Sequence, residues 1–184
     1  GGVHVGGGVT GGRGGWAGGP GEWRVRVPQG MGLVEAMGVG TAGFTAGLGI
    51  VRMEQNGLKP SSGPVIVNGA TGGVGSVAID ALSRLGYHVV ALTGKEAETG
   101  YLKKLGAKEV VLRQSLDLTK IRPLDRAQWA GAVDNLGGEV LAWMASGMKI
   151  GGTIASIGLA ASPTLNTTVL PFILRGASLL GIDS

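Results

Sequence analysis

Residues 65–76 read Val65-Ile66-Val67-Asn68-Gly69-Ala70-Thr71-Gly72-Gly73-Val74-Gly75-Ser76, and an alanine- and leucine-bearing segment follows to Leu85. A short, apolar, β-branched run therefore meets a glycine-rich turn and then a segment long enough for a helix. The next apolar run is Tyr87-His88-Val89-Val90-Ala91-Leu92, and Thr93-Gly94-Lys95 come directly after it. Strand, glycine turn, helix and strand in this order indicate a βαβ unit with a dinucleotide fingerprint at its first turn.

The turn follows the pattern G-x-G-x-x-G with alanine in the first place, as Ala70-x-Gly72-x-x-Gly75. Because Gly72 has no Cβ, the backbone there can approach a pyrophosphate closely. Gly75 allows the helix to pack tightly on the strand, and the helix begins at 74–76, where free N–H groups and the positive dipole end favour a phosphate. The alternative is a tight βα turn without a ligand. The surrounding strand–turn–helix–strand context favours the nucleotide site.

The end of the second strand indicates which dinucleotide is bound. Proteins that prefer NAD usually place Asp or Glu about 20 residues after the glycines, where it binds the ribose 2′-hydroxyl. This chain instead has Thr93-Gly94-Lys95, a hydroxyl, a bare backbone and a cation that together suit a 2′-phosphate. We therefore predict NADPH as the cofactor. In the alternative interpretation Lys95 is a solvated surface residue and Glu96 binds the ribose, although Glu96 also fits the start of the next helix.

Composition and charge argue against several classes of function. The 184-residue chain has a formal net charge of +4, but its basic residues form no run and no aromatics interleave with them, so a nucleic-acid partner is not expected. The chain contains no cysteine, and its two histidines, His4 and His88, lie in unrelated segments, so we expect no metal site. No membrane-spanning run and no signal peptide are visible, which favours the cytoplasm.

Strands and helices alternate along the rest of the chain. Further strands of the sheet are predicted at 109–113, 129–135, 152–158 and 177–183, with helices at 33–37, 40–56, 98–105, 138–148 and within 166–175. A separate, half-buried strand is predicted at 22–28, after a glycine-rich coil at 1–21. The alternation predicts the α/β class and a Rossmann-type doubly wound parallel sheet of about six strands. The expected strand order is 3-2-1-4-5-6, with the cofactor at the switch point.

Several residues fall at the sheet edge where ligands bind. Arg113 ends the third strand and could join Lys95 on the 2′-phosphate or stack on the adenine; alternatively it is a surface arginine. The loops after the fourth and fifth strands are expected beside the nicotinamide. Leu159 and Ala160 could offer backbone groups to its carboxamide, and Ile173 could pack on its ring. Each of these positions also fits an ordinary loop or core residue.

Four separated segments carry a resemblance to a known family. They are Gly40-Thr41-Ala42-Gly43-Phe44-Thr45-Ala46, Asn68 to Ser76, Trp129-Ala130-Gly131-Ala132-Val133-Asp134, and Pro171-Phe172-Ile173-Leu174-Arg175. From Glu22 to Ser184 the chain resembles the cofactor domain of the medium-chain dehydrogenases/reductases. Within them it is most similar to the quinone-oxidoreductase-like branch that contains NADPH-dependent acrylyl-CoA reductases. The resemblance implies reduction of an activated double bond by hydride transfer without zinc, and a homodimer paired edge to edge through the sixth strand.

The resemblance also implies a cofactor lining. The family's pyrophosphate turn is matched by Thr71, Gly72, Gly73 and Val74. Its Ser-Gly-Arg segment, which holds the 2′-phosphate, is matched by Thr93, Gly94 and Lys95, and another cofactor contact is matched by Arg113. Positions near the nicotinamide half are matched by Leu159, Ile173 and Ser184. Lysine in place of arginine keeps the charge but loses the planar fork, so we expect weaker binding of the 2′-phosphate.

This chain departs from the family's pattern at both ends. Family members begin with a catalytic domain, which supplies a tyrosine near the nicotinamide and much of the substrate pocket, and they continue beyond the position of Ser184. Residues 1–30 are therefore interpreted as a glycine-rich remnant of that domain, and residues 31–184 as the dinucleotide-binding domain. No catalytic residue is assigned in this chain, because Tyr87 and Tyr101 are both expected to be packing residues.

These observations lead to one prediction and two alternatives. The predicted function is that of an NADPH-binding domain in a cytoplasmic, zinc-independent oxidoreductase. Its small-molecule substrate is expected to be an enoyl thioester such as acrylyl-CoA, and the fragment alone is expected to be inactive. The first alternative is an NADPH-dependent quinone or enone reductase, and the second is a catalytically silent nucleotide-binding module. Neither a nucleic acid nor a membrane is expected as a partner.

Overall fold

The computed structural model describes residues 26–184. The helices are α1 (Leu33–Gln55), α2 (Gly73–Arg84), α3 (Thr99–Lys104), α4 (Gly138–Ser146) and α5 (Leu170–Arg175). The strands are β1 (Val65–Val67), β2 (Val89–Thr93), β3 (Glu109–Leu112), β4 (Trp129–Asp134), β5 (Met148–Ser156) and β6 (Ser178–Gly181). The coil predicted at 1–21 lies outside the described residues, and so does most of the strand predicted at 22–28. Residues 26–28 belong to no strand.

The six strands form one parallel sheet in the order β3-β2-β1-β4-β5-β6, which confirms the predicted order. Strand β1 lies inside the sheet, with Val67 opposite Ala91 of β2 on one side and Val133 of β4 on the other. From β1 the chain proceeds toward β3 in one direction, and from β4 it proceeds toward β6 in the other. The carboxyl ends of β1 and β4 therefore form the switch point at which sheets of this class bind ligands.

Both faces of the sheet are covered, as expected for parallel strands that are apolar on both sides. Adjacent residues of β1 point to opposite faces, so Val65 and Val67 belong to one apolar cluster and Ile66 to the other. The first cluster also contains Met53 of α1 and Ile79 and Leu82 of α2, and the second contains Leu141 and Met144 of α4. Every side chain of β1 is fully buried, and the two layers of helices hold its carboxyl end in place.

Helix α1 is bent at Gly40, whose φ of 34° and ψ of −138° are not helical. The sequence predicted a break here, with helical segments on either side. The second segment packs into the core through Ala46, Ile50 and Met53. The helix is followed by Asn56 as its C-cap and by Gly57 at a φ of 97°, which agrees with the predicted helix end.

The length and composition of α1 correct one expectation from the sequence. The segment Val34–Gln55 has 22 residues and a mean hydropathy of 1.3, so it is long and apolar enough to cross a membrane by those two measures alone. Core helices of soluble domains meet the same measures. Only 28% of an 18-residue stretch of this segment is buried, and the helix contacts α2 and β5.

Several predicted boundaries are wrong, and the largest error is at the fifth strand, which was predicted at 152–158 but covers Met148–Ser156. The helix predicted at 138–148 ends at Ser146, because Gly147 caps it and the fully buried Met148 begins β5. The third strand ends at Leu112, since Arg113 begins a 3₁₀ turn that runs to Ser115. The sixth strand covers only Ser178–Gly181, within the longer predicted range of 177–183.

Candidate functional site

The glycine-rich turn after β1 has the close geometry that its sequence predicts. Gly69 adopts a φ of 56°, and the amide of Gly72 donates to the Gly69 carbonyl oxygen at 2.9 Å. The amide of Ser76 then donates to the Gly72 carbonyl oxygen at 2.9 Å, which begins α2. A Cβ on Gly75 would lie 2.3 Å from the Gly69 carbonyl oxygen, so a glycine is needed for α2 to start this close to the end of β1.

Helix α2 presents its N-terminus beside this turn. Its N-cap, Gly72, has no side chain to cap the helix, and the first N–H groups of any helix lack intrahelical partners. Gly72 and Gly73 are exposed, whereas Thr71 and Val74 are half-buried. The methyl group of Ala42 in α1 is 3.3 Å from where a Gly73 Cβ would be, so α1 borders the turn. The arrangement offers backbone donors and a positive dipole end to an anion.

The end of β2 brings together three of the predicted contacts. The side chain of Thr93 is 4% exposed, and its Oγ1 accepts a hydrogen bond from the backbone N–H of Lys95 at 3.0 Å. The threonine hydroxyl retains its own proton for a further acceptor. Gly94 and Lys95 are exposed, and a Cβ on Gly94 would meet nothing within 4 Å. Glu96, the alternative ribose ligand, is exposed at the start of a 3₁₀ turn, Glu96–Glu98.

Arg113 lies at the same edge of the sheet as Lys95. Thr93 of β2 pairs in register with Leu112 of β3, so Lys95 and Arg113 follow two paired residues. Neither cation forms a salt bridge with a carboxylate among residues 26–184. Arg113 also lines a cleft of about 360 Å³, together with Gly137, Gly138, Ser162 and Asn166. Arg113 thus borders an open cleft beside the switch point, and Lys95 follows the neighbouring strand at the same edge of the sheet.

The switch point contains a polar network that the sequence analysis missed. Asn68 follows β1 and Asp134 ends β4, and both side chains are fully buried. Asn68 Nδ2 donates to Asp134 Oδ1 at 2.5 Å, and Asn68 Oδ1 accepts from the backbone N–H of Asn135 at 2.6 Å. The sequence analysis assigned no contact to either side chain. The available signal was that the first polar residues after two neighbouring apolar strands meet at the ligand-binding edge.

The Asp134 carboxylate also organises the loop after β4. Its Oδ1 accepts from the backbone N–H of Gly137 at 3.0 Å and of Leu136 at 3.3 Å. Burial raises the pKa of the Asp134 carboxyl, while the hydrogen bonds from Asn68, Gly137 and Leu136 oppose that rise. The buried carboxylate is thus surrounded by donors rather than by a cation.

Three further predicted residues lie toward the β5–β6 side. Leu159 and Ile173 are 66% and 71% exposed, respectively, so their side chains are available to a ligand or to another protein surface. Ser184 is exposed, and its Oγ lies 2.6 Å from the Oγ1 of Thr45 in α1. Thr45 Oγ1 in turn donates to the Thr41 carbonyl oxygen at 2.8 Å, so the serine hydroxyl donates to the threonine. Ser184 is therefore held against α1.

Neither tyrosine is placed for chemistry at this edge. Tyr87 is 2% exposed at the opposite, amino edge of the sheet, where its hydroxyl donates to Glu54 Oε1 at 2.9 Å. Burial, together with the neighbouring Glu54 carboxylate, raises the pKa of Tyr87. The packing prediction is confirmed for Tyr87, whereas Tyr101 is 44% exposed on α3. Within residues 26–184 no three side chains of His, Asp or Glu form a group that could hold a metal ion.

Comparisons with known proteins identify close relatives. A family model described as "Zinc-binding dehydrogenase" matches residues 73–184. The acrylyl-CoA reductase AcuI of Ruegeria pomeroyi is 50% identical over 163 residues, which cover 89% of this chain and 49% of that protein. The chain spans about half the length of the curated relatives it matches.

Two solved structures share both the fold and much of the sequence. Escherichia coli K-12 YhdH with bound NADPH is 48% identical, with a TM-score of 0.84, and the match covers 89% of this chain and 50% of that one. Bacillus subtilis YhfP with NAD bound is 52% identical, with a TM-score of 0.86, over 90% of this chain and 50% of that one. Proteins this similar have thus been crystallised with either dinucleotide.

Proposed function

This chain belongs to the zinc-binding dehydrogenase family, and on that premise we propose that it is the NADPH-binding domain of an oxidoreductase that reduces an activated C=C bond. The proposed substrate is an enoyl thioester such as acrylyl-CoA, and the name of the R. pomeroyi relative supports this choice. We assign residues 31–184 to the dinucleotide-binding domain and residues 1–30 to a remnant of a catalytic domain. The proposed compartment is the cytoplasm.

One observation supports the cofactor assignment above all others. The uncapped N-terminus of α2 and two cations without salt-bridge partners in the described region, Lys95 and Arg113, border the same edge of the parallel sheet, beside the switch point. A dinucleotide needs a neutralised pyrophosphate at the turn after β1. A phosphorylated dinucleotide needs additional positive charge near the end of β2. Both requirements are met along one edge.

The proposed pyrophosphate contacts are Thr71, Gly72, Gly73 and Val74. The exposed glycines let the phosphates approach the backbone, and the first N–H groups of α2 supply the donors. The close contact between Gly75 and Gly69 supports this role, because it holds the helix N-terminus against the end of β1.

The proposed 2′-phosphate contacts are Thr93, Gly94, Lys95 and Arg113. The Thr93 hydroxyl has a proton left to donate, since it acts as the acceptor toward Lys95 N–H. Lys95 supplies a mobile charge, and Arg113 supplies a second charge or stacks on the adenine. We expect preference for NADPH over NADH from these two cations.

The proposed contacts of the nicotinamide half are Leu159, Ile173 and Ser184. The two apolar side chains are exposed and could pack on the ring. NADPH, when bound, supplies the hydride that reduces the double bond. This chain's part is to bind and orient the cofactor, and we assign no catalytic acid to it, because Tyr87 is buried away from the site.

The proposed chemistry does not use zinc bound by this chain. The sequence contains no cysteine and only two histidines, and thiolate and imidazole are the usual zinc ligands. The family description mentions zinc, but this chain offers no thiolate and only two imidazoles, which lie far apart in the sequence.

We also propose that the protein is a homodimer paired through the edge of β6. This strand is the last in the sheet, and Leu179 on it is 38% exposed. Leu174 of the preceding helix is 61% exposed, which adds a second exposed apolar side chain to this part of the chain. Leu174→Asp should shift the mass measured by light scattering toward the monomer; an unchanged mass would argue against this interface.

The cofactor assignment is tested by titrating the chain with NADPH and NADH in a calorimeter. We expect Lys95→Ala to weaken NADPH binding by about tenfold or more, the loss expected for a hydrogen bond to a charged group, and to leave NADH binding nearly unchanged. Lys108→Ala, which removes the same charge from an exposed residue before β3, should change neither. Equal affinity of the wild type for both cofactors would refute the assignment of the 2′-phosphate site.

The substrate is tested on the full-length protein that contains this domain. NADPH oxidation with acrylyl-CoA, but not with a p-quinone, supports the enoyl-thioester assignment, and the reverse supports a quinone or enone reductase. Tight NADPH binding without oxidation of either substrate would instead favour a catalytically silent nucleotide-binding module.

A further inference from the structure

Asn68 and Asp134 form a buried, hydrogen-bonded polar pair at the switch point. Val67 and Val133 pair across β1 and β4, so the two polar residues follow matched positions at the switch point. Both side chains have no exposed surface. A buried polar group that loses its partner costs more free energy than a typical hydrogen bond contributes, so each partner here matters.

Each side of the pair has a fixed role as donor or acceptor. Asp134 accepts from Asn68 Nδ2 and from the backbone N–H groups of Leu136 and Gly137, at 2.5 to 3.3 Å. Asn68 Oδ1 accepts from Asn135 N–H at 2.6 Å, and Asn135 Nδ2 donates back to the Asn68 carbonyl oxygen at 2.8 Å. Turning the Asn68 amide over would place donors against donors at Asn135. The network therefore allows a single orientation.

The same network joins the three loops that follow β1, β4 and β5. The Asp134 carbonyl oxygen accepts from Ile157 N–H at 2.9 Å, and the Leu136 carbonyl oxygen accepts from Ala161 N–H at 2.9 Å. The loops also touch directly, because a Cβ on Gly69 would lie 3.0 Å from Asn135 Cβ, and one on Gly158 would lie 2.4 Å from the Asn135 carbonyl oxygen. A shift in the loop after β4 would thus move both neighbouring loops.

We propose that Asn68 and Asp134 are positioning residues that set the dinucleotide affinity of this domain by holding these three loops in one arrangement. Because both side chains are buried, they act through the backbone of residues 69–72, 135–137 and 157–162 rather than by touching the cofactor. The inference rests on the proposed function, since the loops matter to affinity only if the dinucleotide binds between them.

Asn68→Ala tests the proposal by removing the side-chain bonds to Asp134 and Asn135. We expect the Kd for NADP⁺ to rise on the order of tenfold, because binding must then impose a loop arrangement that the lost hydrogen bonds had held in advance. Leu102→Ala is the matched control, because it truncates another fully buried side chain, on α3, outside this network. It should lower the melting temperature and leave the Kd within about twofold of the wild-type value, as for a distant independent site.

Asn68→Asp adds a readout that a purely structural role would not move. It sets a second carboxylate against Asp134 at the present 2.5 Å contact, and two carboxylates this close share a proton. The groups that act on the Asp134 carboxyl are Asn68, Leu136 and Gly137, and none of them titrates. The shared proton restores the contact at low pH and is lost at high pH, so cofactor affinity should become dependent on pH.

This variant is measured as the ratio of its Kd to the wild-type Kd, with NADP⁺, at several pH values between about 5.5 and 8.5. The ratio removes the titration of the ligand's own phosphate, whose pKa is about 6. We expect the ratio to rise by about tenfold across the range, and the ratio for Asn56→Asp, an exposed residue after α1, to stay flat.

The outcomes separate this inference from the function on which it rests. A wild-type chain that binds no NADP⁺ refutes the proposed function, and the inference with it. Wild-type binding with an unchanged Kd in Asn68→Ala, or with a pH-independent ratio in Asn68→Asp, refutes the inference alone. Circular dichroism at the titration temperature establishes that each variant is folded before its Kd is used, and Asn68→Ala decides the matter if Asn68→Asp does not fold.

Discussion

Gly75→Ala adds a single methyl group at the closest backbone contact of the turn after β1. The new Cβ would lie 2.3 Å from the Gly69 carbonyl oxygen, 2.9 Å from its carbonyl carbon and 3.0 Å from Ala70 Cα. Unstrained contacts between a carbon and a carbonyl oxygen lie at about 3.3–3.6 Å. The start of α2 must therefore move by about 1 Å, because all three obstructing atoms belong to the backbone and cannot rotate away.

Two opposing terms set the size of the effect on stability. Overpacking of this kind typically costs about 1–3 kcal/mol. Alanine is favoured over glycine in a helix by at most about 1 kcal/mol, and less near an end such as this one. We expect a net loss of about 1–2 kcal/mol in the free energy of unfolding, or a decrease of about 2–8 °C in melting temperature for a domain of this size.

The effect on cofactor binding should be larger in relative terms. Hydrogen bonds weaken steeply once a donor moves from about 2.9 Å to nearly 4 Å from its acceptor. We expect NADPH affinity to fall by more than about tenfold, since a displaced helix N-terminus loses several donors to the pyrophosphate at once. Urea unfolding and calorimetric titration of the same preparation measure the two effects.

Gly100→Ala is the matched control for this prediction. Gly100 lies in α3, and a Cβ there would meet nothing within 4 Å. The identical chemical change near another helix start should stabilise the domain by no more than about 0.5 kcal/mol and leave NADPH binding unchanged. If Gly75→Ala behaved like Gly100→Ala in both assays, the close approach of α2 to the end of β1 would be wrong.

Three further substitutions test separate parts of the structure. Burial raises the pKa of Asp134 above its ordinary 3.8, so this group's contribution to stability is greatest below pH 3.8 and declines as the pH rises through the folded-state pKa. Asp134→Asn should remove that slope from urea unfolding measured against pH; an unaltered slope would contradict the shift. The Arg175 guanidinium donates to three backbone carbonyls, which a lysine ammonium cannot reach in the same geometry. Arg175→Lys should therefore lower the free energy of unfolding in urea by about 1.5–3 kcal/mol. A decrease of less than about 0.5 kcal/mol would show that the planar guanidinium is dispensable. Tyr87→Phe should lower the free energy of unfolding by about 1–2 kcal/mol, because the hydrogen bond to Glu54 is lost. NADPH affinity should not change, and any change would contradict the position of Tyr87 at the amino edge of the sheet.

Most of the fold could be predicted because its signals are local. The run at 65–67 is apolar and β-branched, it ends in a glycine turn, and the next such run follows one helix later. Repetition of that unit allows few topologies, because right-handed crossovers and the position of the fingerprint fix the order of the strands. The errors fall at boundaries, such as Met148, where an apolar residue after Gly147 fits the end of a helix and the start of a strand equally well.

The site was less predictable because its contacts join distant parts of the chain. Asn68 and Asp134 are 66 residues apart, and Thr45 and Ser184 are 139 residues apart, so no local sequence pattern predicts either pair. The hydrogen bond from Lys95 N–H to Thr93 Oγ1, in contrast, spans two residues and is a familiar local motif. The sequence indicated which residue types lie at the ligand-binding edge of the sheet, but it did not indicate which of their side chains are hydrogen-bonded to one another.

Side chains that are hydrogen-bonded within the domain and exposed cations should affect the preference between NADPH and NADH differently. Asn68 and Asp134 have their hydrogen bonds satisfied within the domain, whereas Lys95 and Arg113 are exposed and have no salt-bridge partner in the described region. A change in a buried pair should alter affinity for NADPH and NADH alike, because it moves loops shared by both. A change in a free cation should alter only the affinity for the phosphorylated form. Measuring both cofactors for each class of variant therefore tells positioning from recognition, whatever substrate the complete protein reduces.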